Sequence, residues 1–299
     1  MAATNEMRRE AAKRKLAGQQ ERREQQAKRS RTVAVVTSAV VVVVVVVGVV
    51  LLSTLGGSGE ATDPAAAPPS EGAAATTTGP DAGAAPVTPE SIPTAVTPLP
   101  VRSTPLPATA TCTYPTDGQP PAKAAQPPAG ADISAEGTVT VTLTTSAGAI
   151  PLTLDRALAP CTVNSFLSLA QQAYFDGSPC HRLTTSPGLQ VLQCGDPTGT
   201  GTGGPGYTIP DEVFPELTYG RGILAMAKTA APDSGGSQFF MVYGDGQLPP
   251  EYTAFGSISP EGLQVVDAIA AAGHDGSFDA QAGGGAPVQP VTIQTATVG

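Results

Sequence analysis

The chain has 299 residues, enough for two domains by length, but 34 Gly, 30 Pro, 4% aromatics and no Trp argue for one globular domain and a long non-globular remainder. The formal net charge is −9 and is unevenly spread. Residues 1–31 carry ten Lys or Arg and four Glu, which leaves six basic and 21 acidic residues, near −15, on everything that follows. An acidic body lacks the basic footprint that nucleic-acid binding requires, so no nucleic-acid partner is expected.

Residues 1–32 are rich in Arg, Lys, Glu, Gln and Ala and read as a basic, solvated cytoplasmic tail. Residues 33–55, Val33 to Leu55, are uncharged and include an almost pure Val run from Val40 to Val47. As a helix such a run covers roughly 35 Å, enough to span a bilayer once. Arg29 and Arg31 flank its N-terminal side and no basic residue follows until Arg102. The positive-inside rule therefore puts the N-terminus in the cytoplasm and the body outside. A cleaved signal peptide would have an apolar region of about 7–15 residues, so a single-pass signal anchor in the cell membrane is expected.

Residues 56–131 are dominated by Ala, Pro, Thr, Gly and Ser and hold sixteen of the prolines. Such a segment buries too little apolar surface to offset its ordering entropy, so a disordered, Pro-rich linker is expected. Thr88 to Thr111 favours polyproline II and would act as a stiff spacer.

Residues 132–299 have a globular pattern. Val139, Val141 and Leu143 alternate with Thr in a half-buried strand, Ser146-Ala147-Gly148 turns, and Ile150 to Leu154 forms a second strand. Apolar residues at Val163, Phe166, Leu167 and Ala170 have helical spacing, with Thr162 as the expected N-cap. Short strands follow at Cys180 to Leu183 and Leu189 to Cys194. Two more, Gly222 to Ala227 and Gln238 to Val242, are joined by a Gly-rich loop, and Tyr252 to Ile258 is the next. Pro260 opens a second helix with Leu263, Val266 and Ile269 on its apolar face, and Val291 to Val298 closes the domain. About eight strands and two helices suit a closed antiparallel barrel, so the fold class is mainly β.

Gly199-x-Gly201-x-x-Gly204 spells a dinucleotide fingerprint, but Pro205-Gly206-Tyr207 follows instead of a helix, so it reads as a flexible loop. The only histidines are His181 and His274, and neither has a nucleophile partner recognisable in sequence. Cys112, Cys161, Cys180 and Cys194 lack C-x-x-C spacing, so no metal is expected. All four lie beyond the expected span, where disulfides form. Three pairings are open, and free thiols are the other possibility; Cys161–Cys180 with Cys112–Cys194 is the pairing favoured here. Arg182, Gln193, Gln238 and Phe240 are polar or aromatic residues at strand positions that could share one outward face.

An ordered set of motifs then stands out: His181-Arg182-Leu183, Leu192-Gln193-Cys194-Gly195-Asp196-Pro197, Gly201 to Tyr207, Arg221 to Ala227, Gly236-Ser237-Gln238-Phe239-Phe240 and Phe255-Gly256. In these the chain resembles the cyclophilin-type peptidyl-prolyl isomerases over residues 137–299. The resemblance implies an eight-stranded barrel capped by two helices, with a proline-binding groove outside the barrel. It implies Arg182 as the catalytic arginine, with Gln193 beside it. Val191, Phe240 and Leu248 would form the proline pocket, with Tyr252 in its wall. Gln238 would line the groove, and the backbone at Ala227, followed by Lys228, would align the peptide. Phe239 would face the barrel core. No cofactor is implied, and the expected partners are Pro-containing polypeptides met by a monomer. Three positions depart from the family: Gln190 stands where a pocket Phe is usual, Lys228 replaces Asn, and Gln247 falls near the Trp that favours cyclosporin binding. The tail, span and tether look like a cell-envelope member from an actinobacterium. The expected function is isomerisation of X–Pro bonds in extracytoplasmic proteins. The alternative is a non-catalytic, envelope-tethered module that binds Pro-containing peptides.

Overall fold

The computed structural model describes residues 85–280 and 282–299, all within one compact unit. The expected tail 1–32, the expected span 33–55 and the first part of the expected linker lie outside the described residues. Among the described residues no helix is long and apolar enough to cross a membrane.

Alternating Val and Leu on Thr-rich strands build the scaffold. Strands β3 (Thr138–Thr145) and β4 (Gly148–Asp155) form a hairpin in full register, Thr138 opposite Asp155 and Thr145 opposite Gly148. Val141, Leu143, Ile150, Leu152 and Leu154 all point into the core. Two short pieces, β1 (Thr109–Ala110) and β2 (Ile133–Ser134), pair separately. The main sheet also contains β5 (Ser178–Pro179), β6 (Arg182–Leu183), β7 (Leu189–Cys194), β8 (Ile223–Met226), β9 (Phe239–Gly246), β10 (Ala254–Ile258) and β11 (Thr292–Val298). Its nine strands run in the order β5-β11-β3-β4-β10-β8-β9-β7-β6, every pairing antiparallel.

The expected closed, eight-stranded barrel is corrected to a curled nine-stranded sheet with an open ladder. Both edge strands, β5 and β6, are two residues long and belong to one stretch of chain. Only Cys180-His181 separates them. Chain continuity, not a hydrogen-bonded pairing, holds the two edges together.

Two helices pack on this sheet. In α1 (Pro160–Gln171), Phe166 lies 4.8 Å from Phe175 and 5.3 Å from both Phe239 and Phe255, ring centre to ring centre. Phe239 is thus the core member of the Phe239-Phe240 pair. Helix α2 (Pro260–Ala272) starts where expected: Ser259 accepts from the Gly262 N–H at 3.1 Å, and Pro260 occupies the first turn, where a missing N–H costs nothing.

The start of α1 differs from expectation. Thr162 lies inside the first turn, and Ala159 at the N-cap offers no side-chain acceptor. Glu212, 50 residues further on, supplies it. Its carboxylate accepts from the Cys161 N–H at 3.0 Å, the Thr162 N–H at 2.8 Å and the Thr162 hydroxyl at 2.7 Å. Burial pushes the Glu212 pKa up, and these three donors and Arg102 pull against that rise. Arg102 in turn donates to the backbone carbonyls of Leu158 and Glu212, with its guanidinium 4.2 Å over the Phe214 ring.

Residues 85–131, expected to be disordered, instead lie along the domain as a strap. Val87 exchanges backbone hydrogen bonds with His274, and Thr97 donates to Arg221. The Tyr114 hydroxyl donates to the Cys161 carbonyl, and Lys123 donates to the carbonyls of Ala173 and Asp176. Proline suits this strap because few backbone donors are then left unpaired and the unfolded chain has less entropy to lose. The favoured disulfide pairing is also corrected. Cys112 of the strap bonds Cys161 in the first turn of α1, and Cys180 bonds Cys194. The strap crosses the start of α1, whereas β6–β7 pairing brings the two later cysteines together.

Replacing Glu212 by Ala strands three donors at the start of α1. The expected loss is about 2–3 kcal/mol of unfolding free energy. Urea denaturation checks this, and a loss within measurement error would rule out the remote cap.

Candidate active site

The site is built by strand parity. Residues directly opposite in an antiparallel ladder share a face, as do residues two apart in one strand. Arg182 in β6 is opposite Gln193 in β7, Gln193 is opposite Phe240 in β9, and Phe240 is opposite Ala225 in β8. This row crosses four strands on one face. Two residues along from its members lie Val191, Gln238 and Ala227. The shared outward face expected for Arg182, Gln193, Gln238 and Phe240 is therefore present.

A cavity of about 460 Å³ opens on this face. Arg182, Val191, Gln193, Ala227, Lys228, Phe240, Leu248 and Tyr252 line it. Gln238 lines an adjoining hollow that shares Gln193, Ala227 and Lys228 with the cavity. Phe240, 5% exposed, meets Tyr252 edge-on at 5.8 Å. Tyr252 is fixed from behind by Tyr219, whose hydroxyl donates to the Tyr252 carbonyl at 2.6 Å and accepts from its N–H at 3.0 Å.

A chain of side-chain amides orients the polar rim. Arg182 Nη1 donates to Gln193 Oε1 at 3.0 Å, and Gln193 Nε2 donates to Gln238 Oε1 at 2.9 Å. Gln238 Nε2 donates to the carbonyls of Gly201 and Gly203, 3.0 Å each. Those glycines belong to the loop expected to be flexible. It is wrapped around Asp196, whose carboxylate accepts from the N–H groups of Thr198, Gly201 and Gly203 and from the Thr198 hydroxyl. Burial disfavours the charged Asp196, but these donors outweigh it and hold its pKa below the ordinary value. A Cβ on Gly203 would come within 2.0 Å of Asp196 Oδ1, so only glycine permits this wrapping.

Arg182 is also engaged from the far side: Nε donates to the Gly283 carbonyl at 2.9 Å and Nη2 to the Ala282 carbonyl. A guanidinium has five N–H groups. Three are used by these partners and Gln193, which leaves two for other acceptors. Burial lowers the Arg182 pKa from its ordinary value.

Gln190 does not stand in the pocket. Its side chain points to the opposite face, donating to the Ser91 carbonyl of the strap at 2.7 Å and accepting from the Asp245 N–H at 3.0 Å. Leu189 lines the cavity instead. The β7–β9 ladder shifts register between Leu189 and Val191, and Leu189 shares the parity of Val191 and Gln193 along β7. Lys228 is tied to Asp211 at 2.6 Å, which neutralises it at the groove. His181, Thr200, Thr202 and Phe278 also line the cavity and were not expected to. Period-2 spacing from Val191 could have revealed Leu189, but no sequence signal marks Phe278. His181 is buried with neither ring nitrogen partnered among the described residues, and burial lowers its pKa.

Residues 140–298, a little over half of the chain, match the family described as Cyclophilin type peptidyl-prolyl cis-trans isomerase/CLD. The chain belongs to this family. The chain is similar to "Probable peptidyl-prolyl cis-trans isomerase B" of Mycobacterium tuberculosis, 47% identical over 199 residues, 62% of this chain and 62% of that protein. The match thus spans less than two thirds of that relative. "Peptidyl-prolyl cis-trans isomerase A" of Mycobacterium tuberculosis is 36% identical over 178 residues, 54% of this chain and 92% of that protein. A crystal structure of a Cryptosporidium parvum cyclophilin type peptidyl-prolyl cis-trans isomerase has a TM-score of 0.48 and 30% identity, covering 55% of this chain and 98% of its own.

The Cys180–Cys194 bond brackets the hydrogen-bonded pair Arg182 and Gln193, Cys180 two residues before one and Cys194 directly after the other. It closes a loop with a sequence separation of 14. Replacing both cysteines by Ala is expected to lower unfolding free energy by about 3 kcal/mol, measured by urea denaturation without reductant. An unchanged midpoint would show that strand pairing alone holds the sheet edge.

Proposed function

We propose that this cyclophilin is a peptidyl-prolyl cis–trans isomerase acting on X–Pro bonds of extracytoplasmic proteins and assisting their folding. One observation carries the proposal: Arg182, held by Gln193 and with two N–H groups to spare, stands at an apolar cavity lined by Val191, Phe240 and Leu248. The barrier to X–Pro rotation is about 18–20 kcal/mol, because amide resonance must be lost, while the two ground states differ by only about 0.5–1 kcal/mol. No nucleophile or metal is needed for this reaction. The cavity fixes the proline ring while the preceding carbonyl rotates. As the amide twists, the proline nitrogen becomes pyramidal and gains a lone pair. An N–H of Arg182 donates to that nitrogen, or to the turning carbonyl oxygen, and so binds the twisted state more tightly than either planar one. Gln193 keeps the guanidinium in place, Gln238 anchors Gln193, and the backbone at Ala227 and Lys228 aligns the peptide.

Arg182→Ala is expected to lower kcat/KM for a proline peptide about 100-fold, equivalent to about 2.7 kcal/mol of transition-state stabilisation, with Arg182→Lys recovering only part of it. A protease-coupled assay measures this, and equal rates for wild type and Arg182→Ala would end the assignment. The second reading, a non-catalytic module that binds Pro-containing peptides, draws support from the commitment of three Arg182 N–H groups to protein acceptors. In the same assay it requires peptide binding without acceleration.

We further propose that residues 33–55 anchor the chain as a single span, with the tail 1–32 in the cytoplasm and the cyclophilin outside, acting as a monomer. The charge asymmetry around the apolar run supports this, as do two disulfides, which suit an oxidising compartment. Protease added to intact cells freed of their wall is expected to digest the cyclophilin while sparing a tag at residue 1. The opposite protection pattern would invert the topology.

A further inference from the structure

The hollow that adjoins the proline cavity has a volume of about 630 Å³. Part of its wall comes from Asp117, Gln119, Pro120 and Ala122 of the strap, outside the family match at 140–298. This wall is fixed in place. Asp117 donates its N–H to the Gly206 carbonyl at 3.3 Å and Ala122 to that of Gly204 at 2.8 Å, while Thr116 pairs with Tyr207. Upstream, the Cys112–Cys161 bond ties the strap to α1. Downstream, Lys123 donates to two carbonyls, at 2.6 and 2.7 Å.

The charges around the hollow do not cancel. Its one basic side chain among the described residues, Lys228, is neutralised by Asp211 at 2.6 Å. Asp117 has no basic partner among the described residues. One of its oxygens accepts from the Gln119 N–H at 2.8 Å; the other, Oδ2, lies over Gly204, 4.0 Å from where a Cβ there would stand. Asp196 adds a second negative charge beneath the loop. Pro120, Pro205 and Tyr207 supply apolar walls beside these acids.

We propose that strap residues Asp117–Ala122 form a specificity element that receives a Lys or Arg side chain flanking the X–Pro bond. The apolar stem of that side chain lies against the prolines and Tyr207, and its cationic end reaches the free oxygen of Asp117. The proposal rests on the isomerase reading for its substrate, because the hollow and the proline cavity share Gln193, Ala227 and Lys228. The pair is solvent-exposed, so its effect is modest and salt-sensitive.

The test uses the full chain in detergent, as wild type, Asp117→Asn and Asp117→Lys. The probes are proline peptides that carry Lys or Glu two residues before or two residues after the proline. Binding is read by NMR titration and turnover by exchange spectroscopy. Wild type is expected to bind one Lys peptide about threefold more tightly than its Glu counterpart. Asp117→Asn should remove this preference, Asp117→Lys should reverse it, and 1 M salt should abolish it in wild type. The same Lys-to-Glu ratio in all three proteins overturns the proposal. If wild type binds with this preference but accelerates no peptide, the specificity element stands and the isomerase reading falls.

Discussion

The site depends on one constraint, the antiparallel register that places Arg182 opposite Gln193 and Gln193 opposite Phe240. Side chains alternate along a strand, so a slip of one residue would turn every member of the row to the other face. The guanidinium, the amide that holds it and the aromatic wall are then set by backbone pairing, not by rotamer choice. The Cys180–Cys194 bond and the chain continuity between β5 and β6 hold that edge, where the ladder itself is open. The aromatic core beneath, built on Phe166, Phe175, Phe239 and Phe255, gives the register a packed backing.

Two carboxylates, one distant in sequence and one local, supply what secondary structure does not. Glu212 ends the helix that Thr162 fails to cap, and Asp196 gathers the backbone donors of a Gly-rich loop that has no secondary structure of its own. In each case a carboxylate satisfies several N–H groups, which is how a buried charge becomes tolerable. The loop carbonyls freed by that wrapping anchor Gln238, and through it Gln193. Asp196 therefore supports the site without touching the cavity.

The strap extends the same logic beyond the family's own elements. Residues 85–131 look like a tether by composition, yet Tyr114, Lys123 and Cys112 fasten them to α1 and the turn that follows it. A few anchors suffice because proline has already reduced the entropy that ordering must overcome. In return the strap lends a wall to the hollow beside the Arg182 cavity and takes up the side chain of Gln190.

Much of this was legible in the sequence because it is local. Alternating Val and Leu gave the β3–β4 hairpin, helical spacing gave α1 and α2, and the spacing of Arg182, Gln193, Gln238 and Phe240 allowed a common face. What the sequence could not decide was which distant groups meet. Cysteine spacing leaves three pairings open, and only the path of the strap over α1 selects Cys112–Cys161. Parity along β7 puts Leu189, not Gln190, in the cavity, while the strap and the Asp245 N–H take the Gln190 side chain on the other face. The sequence by itself determined the strands, the helices and the chemistry available to the groove, since periodicity and side-chain type act over a few residues. Only the tertiary structure decided the disulfides, the Glu212 cap and the order of the strap, because each depends on which of several chain segments come together, from 14 residues apart at Cys180–Cys194 to about 50 at Cys112–Cys161 and Glu212–Thr162.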